Sequence, residues 1–168
     1  MGFIDRFRRP PNPTQAWRPD SRRPLTVDLD ANTVCGVPLG ARFDELSFLG
    51  PAHVDRHAPG TFQFRSVGLQ VDTETIEGTE IDAFSVIVIA EGFYPGYDRF
   101  RGTIVYQGAP VREMSLRSED AIVRTFGQPV NIDRHPEEIV LYYEFGEIGR
   151  EIWLTSDERI RTVRLYRL

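Results

Sequence analysis

The sequence predicts an α+β fold: two degenerate repeats, each a short helix plus three antiparallel strands, forming one antiparallel sheet with helices on one face. Three observations carry this. Several segments alternate apolar and polar residues with period two, and the turns between the last of them are of hairpin length, which calls for antiparallel pairing. Two amphipathic stretches each run into a Gly and a Pro, as short helices do. The order of these elements also recurs: aligning the helix stops lays LGPAHVDRHAPGTFQF over FGQPVNIDRHPEEIVLYYEF, with Asp-Arg-His at 55–57 and again at 133–135.

Taken in order, residues 1–24 form a flexible Arg/Pro-rich arm. Five prolines (Pro10, Pro11, Pro13, Pro19, Pro24) deprive it of backbone donors and bias it toward extended conformations. Ahead of them, Phe3, Ile4 and Phe7 share one face of a short helix, which offers weak contact with a membrane surface or a partner. A segment this short is also marginal as a helix in water, and the same residues suit a frayed tail or one lying across the body.

The first repeat spans residues 25–90. LTVDLD alternates as a strand, and Phe43 and Leu46, with Phe48 and Leu49, suit a short helix face stopped by Gly50-Pro51. Strands are expected over 61–66, 69–74 and 81–89. Residues 91–113 hold an aromatic loop, EGFYPGYDRFRG, and a hairpin. The second repeat spans 114–168. Ser118 is placed to cap a helix with Glu119 and Asp120 in its first turn, Ala121, Ile122 and Phe126 supply its apolar stripe, and Gly127 and Pro129 end it. Strands follow over 138–145, 150–155 and 159–166.

This arrangement resembles the fold shared by β-lactamase inhibitor protein and the SmpA/OmlA outer-membrane lipoproteins, in which a helix with a Gly-x-Pro-like stop precedes antiparallel strands, sometimes in tandem. The residues carrying the likeness are Ser118 to Pro129 and the strands to Leu168, and more loosely Leu39 to Ile89. The resemblance implies a fold rather than a target. Those proteins are exported and the inhibitor is braced by disulfides, whereas MGFIDRFRRPP has no apolar signal core and Cys35 is the single cysteine.

Composition bounds the function. With 40% hydrophobic residues among 168, the chain is no disordered segment, and its longest apolar run, Ala83 to Ala90, is too short to span a bilayer. A single cysteine without a signal sequence predicts a reducing, cytoplasmic setting. All 20 basic residues are Arg, so chemistry needing a catalytic Lys is excluded. Codon bias accounts for that skew, as does a preference for the planar donor fork of Arg. The arm carries six Arg against two Asp, a charge of +4, while the rest holds 14 Arg against 23 acids, −9. An acidic body repels a polyanion, so nucleic acid ranks below protein as a partner.

Catalytic motifs are lacking. There is no G-x-S-x-G, no H-E-x-x-H and no Gly-rich phosphate loop. Cys35 has no local His or acid to activate it and suits a small buried hydrophobe. The three histidines, His53, His57 and His135, are of a type zinc accepts, and a small metal-dependent hydrolase built on the histidine-containing loops is the alternative reading. Solvated loop histidines explain the same spacing. No metal and no other cofactor is assigned.

Aromatic residues make the stronger case. Alternation places Leu141, Tyr143 and Phe145, Ile152 and Leu154, and Val163 and Leu165 toward the core. It turns Tyr142, Trp153, Arg164 and Tyr166 to the other face, and Tyr, Trp and Arg are the residue types enriched where interfaces concentrate their energy. The same side chains also suit a ladder that merely shields the sheet. Phe93, Tyr94 and Tyr97, set among Gly92, Pro95 and Gly96, form a loop with little core in which to hide them. The expected function is therefore a non-enzymatic, protein-binding domain of inhibitor, immunity or adaptor type. A structural domain that pairs this face with a second copy is the remaining reading.

Overall fold

Positions that alternate between buried and partly exposed make strand the commonest regular structure of this chain. The computed structural model describes residues 12–54, 57–58, 60–74, 79–90, 92–111 and 118–168. Three short strands come first: β1 (Thr26–Asp28), β2 (Thr33–Val34) and β3 (Val37–Pro38). A 3-10 helix over Phe43–Leu49 leads to β4 (His53–Val54), β5 (Thr61–Phe64), β6 (Leu69–Thr73) and β7 (Ile81–Ile87). The hairpin β8 (Thr103–Tyr106) and β9 (Ala109–Pro110) precedes helix α1 (Glu119–Phe126). Four strands close the chain: β10 (Asn131–His135), β11 (Glu138–Phe145), β12 (Ile148–Thr155) and β13 (Ile160–Arg167).

These strands build two sheets. An eight-stranded, fully antiparallel sheet has the order β10-β11-β12-β13-β7-β6-β5-β4, and a five-stranded mixed sheet has the order β3-β2-β1-β8-β9, with β1 and β8 parallel. This overturns the expected α+β architecture of two helix-plus-three-strand repeats with helices on one face. Strand accounts for 43% of the described residues and helix for only 13%, so the fold is mostly β. The physical reason is that β2, β3 and β9 are only two residues long, too short to show a period, and that the parallel pairing of β1 with β8, far apart in sequence, joins all five into a second layer.

The helical segments are local devices. In the 3-10 helix Phe43, Leu46 and Leu49 are buried at a spacing of three, which matches three residues per turn. Ser118 caps α1: its hydroxyl accepts from the Ala121 N–H at 3.2 Å, and Ile122 and Phe126 face inward. At the other end Gly127 donates to the Val123 carbonyl.

One hydrophobic cluster joins everything on one side of the large sheet. It takes Phe62, Leu69, Phe84, Val163, Ile152 and Leu141 from that sheet, Val27, Leu29 and Val34 from the small one, and Phe43 and Ile122 from the helices. Residues 12–24 of the N-terminal arm lie against this body. Thr14 is buried and accepts from the Ala52 N–H, Trp17 sits 4.8 Å from Phe43, and Arg23 lies 3.8 Å over Phe48. Phe3, Ile4 and Phe7 fall outside the described residues. No described helix is long and apolar enough to cross a membrane.

Arg150 breaks the pattern of this core. Its position in β12 faces inward, and it is only 2% exposed. One guanidinium nitrogen donates to the Leu29 carbonyl, and the rings of Phe145, Phe126 and Tyr106 stand 4.7, 5.6 and 5.8 Å away. Burial lowers its pKa.

Candidate functional site

Antiparallel register decides which side chains share the second face of the large sheet. Tyr142 stands opposite Glu151, Glu151 opposite Arg164, Arg164 opposite Ser85, and Ser85 opposite Gln70. This gives one row across five strands. The neighbouring rows hold Val140, Trp153, Thr162 and Ile87, and Gly149, Tyr166, Ala83 and Asp72. The small sheet and the helices contribute to the hydrophobic cluster on the opposite face, and on this face Val140, Thr162, Ile87, Ala83 and Ser85 are buried. The structure thus brings Tyr142, Trp153, Arg164 and Tyr166 onto one surface, each partly exposed.

These side chains are held in place. The Trp153 indole donates to Glu151 at 2.9 Å, and Arg164 donates to Asp72 at 3.3 Å while lying 5.8 Å from the Tyr166 ring. Tyr166 covers Gly149 so closely that a Cβ there would run into its ring. Partial burial raises the pKa of Tyr142, and a hydrogen bond with Asp133 adds to the shift. Burial also raises Tyr166, helped by the negative charge of Glu151 and opposed by Arg164.

The aromatic loop reaches onto the same face at one end. Tyr94 shares a 2.8 Å hydrogen bond with the Thr162 hydroxyl, Tyr97 donates to Gln70 at 3.2 Å, and the two rings meet edge-on at 5.9 Å. Backbone bonds fasten the loop: Asp98 donates to Arg65 and Phe100 to Ile87. Phe93 is the member left most exposed, at 37%.

A β-bulge supplies the anchor beneath that loop. Trp153 pairs with Thr162 and the next residue, Leu154, with Ile160, which leaves Arg161 as the extra residue of β13. Its guanidinium sits 4.7 Å from the Phe93 ring, 5.0 Å from Trp153 and 5.9 Å from Tyr94, and it is paired with Glu138. Neither Arg161 nor Glu138 was legible as part of this site. Regular alternation turns Arg161 inward beside Val163, and Glu137-Glu138 reads as a solvated strand start. Asp72 and Gln70 were missed because their strand lies in the other half of the chain.

The histidines are not brought together. His53 lies on β4 and His135 on β10, the two edge strands of the large sheet. Seven interstrand steps of about 4.8 Å separate those edges, roughly 34 Å. His57 is exposed in the loop after β4, and Asp55 and Arg56 fall outside the described residues. This corrects the expectation of equivalent loops, since 133–135 is strand. Among the described residues no three His, Cys, Asp or Glu side chains are grouped to hold a metal ion. Cys35 is half-buried, its thiol pKa raised by burial and its sulfur 3.5 Å from the Pro24 carbonyl.

No protein-family model matches the chain, and neither does any curated protein. Among solved structures, a DUF4309 family protein (YjgB) from Bacillus subtilis is similar, with a TM-score of 0.51 and 9% sequence identity over 79% of this chain and 83% of that one. At that identity the likeness concerns the fold alone.

Proposed function

We propose that this chain is a non-enzymatic protein-binding domain of inhibitor, immunity or adaptor type, and that it docks its partner on the second face of the eight-stranded sheet together with the loop at 92–100. The observation that carries the reading is the placement of Tyr142, Trp153, Arg164 and Tyr166, each partly exposed, on the face of the large sheet opposite the hydrophobic cluster. A sheet whose other side is fully packed has no need of large aromatics on its free side.

The contacts among these residues favour binding in a second way. Glu151 fixes the Trp153 indole and Asp72 fixes Arg164, so little side-chain freedom is lost when a partner settles on them. Binding by occlusion follows: Tyr142, Trp153 and Tyr166 are desolvated at the centre, with Arg164, Asp133 and Glu144 as the polar surround.

The test is capture from host lysate with the wild-type chain beside Tyr142→Ala/Trp153→Ala/Tyr166→Ala. Because Trp153 also rests on Arg161, the double change Tyr142→Ala/Tyr166→Ala serves as the variant that leaves the bulge intact. A protein held by the wild type and lost by folded variants supports the reading and names the partner. Retention indifferent to both variants, or no retention, contradicts it.

A further inference from the structure

A cavity of about 480 Å³ opens on the opposite side of the large sheet, between the two sheets at the end where the aromatic loop begins. Leu29, Val88, Ile104, Phe126, Ile160 and Val163 give it an apolar part, and Tyr97, Asp98, Arg99 and Arg159 a polar one. Close-packed interiors leave few voids larger than a water molecule, and this one exceeds the roughly 30 Å³ share of a water more than tenfold. It falls in the range of small-molecule pockets, about 300–1,000 Å³. Its size and two-part lining suit an amphiphile, with the apolar part taking a hydrocarbon body and the polar part a head group.

Charge at the opening adds the second half of the ligand. Three charged residues line the cavity, Asp98, Arg99 and Arg159, and all three are exposed, which places them at the solvent side. Two are already neutralised: Asp98 by Arg101 at 2.9 Å and Arg159 by Asp157 at 2.7 Å. Among the described residues no ion pair engages Arg99. Among the described residues, the mouth therefore carries one cation outside any ion pair, beside the apolar part of the cavity. Arg is suited to this because its planar fork takes a carboxylate through two parallel hydrogen bonds.

We infer that this cavity binds a small monoanionic amphiphile, an aliphatic or aryl carboxylate, with its apolar body between the sheets and its acid group on Arg99. The cavity lies on the other side of the large sheet from Tyr142, Trp153 and Tyr166 and shares with the proposed docking surface only the loop residues Tyr97, Asp98 and Arg99; neither reading requires the other. No covalent step is involved.

The experiment is a displacement titration in which cis-parinaric acid is the fluorescent probe and decanoate, decanol and decyltrimethylammonium are the competitors. Decanoate is expected to displace the probe at one site per chain, with decanol weaker and the cation weakest. Arg99→Glu changes an exposed side chain and should weaken decanoate about tenfold or more while leaving decanol unaltered, since tenfold corresponds to about 1.4 kcal/mol. Ile104→Trp fills the cavity and should abolish displacement by all three. A probe that fails to bind, or decanoate affinity indifferent to Arg99→Glu, overturns the inference. Loss of binding in Tyr142→Ala/Tyr166→Ala with retention in Ile104→Trp also overturns it, by placing the probe on the sheet face.

Discussion

The guanidinium of Arg161 lies 5.0 Å from the ring of Trp153, on the side of the sheet that regular alternation would have denied it. The bulge in β13 makes this contact, and with Phe93 above and Glu138 beside it the arrangement ties the aromatic loop to the sheet. Arg161→Met keeps the length of the side chain and removes the charge. It should cost roughly 1–3 kcal/mol in urea unfolding, through lost cation–π attraction and a Glu138 left without its partner. Amide exchange within residues 92–100 should quicken more than in β11 and β12. Equal exchange in both regions would show that the loop is fastened by its backbone bonds alone.

Gly68 and Gly108 share a φ of +69°, but only at Gly68 would a Cβ meet other backbone, that of Asp98 to Phe100. Alanine at either site should cost about 1–2 kcal/mol for left-handed backbone. Gly68→Ala should cost a further 1–3 kcal/mol, approximately, because the loop must move away. The difference between the two melting curves thus isolates the close approach of the loop, and equal losses would contradict it.

Tyr143 is 2% exposed and its hydroxyl has no hydrogen-bond partner. Burial pushes its phenol from the usual value near 10 up to about 12. The folded state therefore keeps this proton where the unfolded state has lost it, and stability falls as pH rises from about 10 to about 12, by about 2–3 kcal/mol over that window. Tyr143→Phe should be neutral or stabilising by about 1 kcal/mol at pH 7, since it removes an unpaired buried hydroxyl. It should also flatten the alkaline loss, with Tyr142 and Tyr166 leaving a residual slope of the same sign. A destabilised Tyr143→Phe at pH 7 would show that the hydroxyl is satisfied in solution.

The Ser118 cap on α1 is the only described side chain bonding the first turn of that helix from the capping position. Ser118→Ala should cost about 1 kcal/mol, and Ser118→Asp should restore most of it. Thermal unfolding of the three proteins checks this, and identical midpoints would mean that the cap contributes nothing.

What could be read from the sequence follows the strength of local periodicity. β11 was legible to the residue and β12 and β13 nearly so, because each runs for eight residues with alternate burial over most of its length. The Ser118 cap was legible because its chemistry is local. β10 was not, since Asn131-Ile-Asp-Arg-His is almost wholly polar; it is an edge strand, where charged residues discourage pairing with another chain. The second sheet escaped notice because β2, β3 and β9 are two residues long. The shared Asp-Arg-His suggested equivalent loops, but strand order sends the two copies to opposite edges, and strand order is not written in any local pattern. The aromatic face was legible as an alternation, whereas its fastening by Asp72 and Arg161 depended on long-range pairing and on a bulge.

The central claim is that the aromatic face binds a protein partner, and calorimetric titration of the purified captured partner tests it most directly. The wild-type chain should bind saturably at one site, and Tyr142→Ala/Tyr166→Ala, shown to be folded by a cooperative melting transition above the assay temperature, should bind at least a hundredfold more weakly, about 2.7 kcal/mol. Equal affinity for the two proteins would contradict the account and move the interface elsewhere on the molecule.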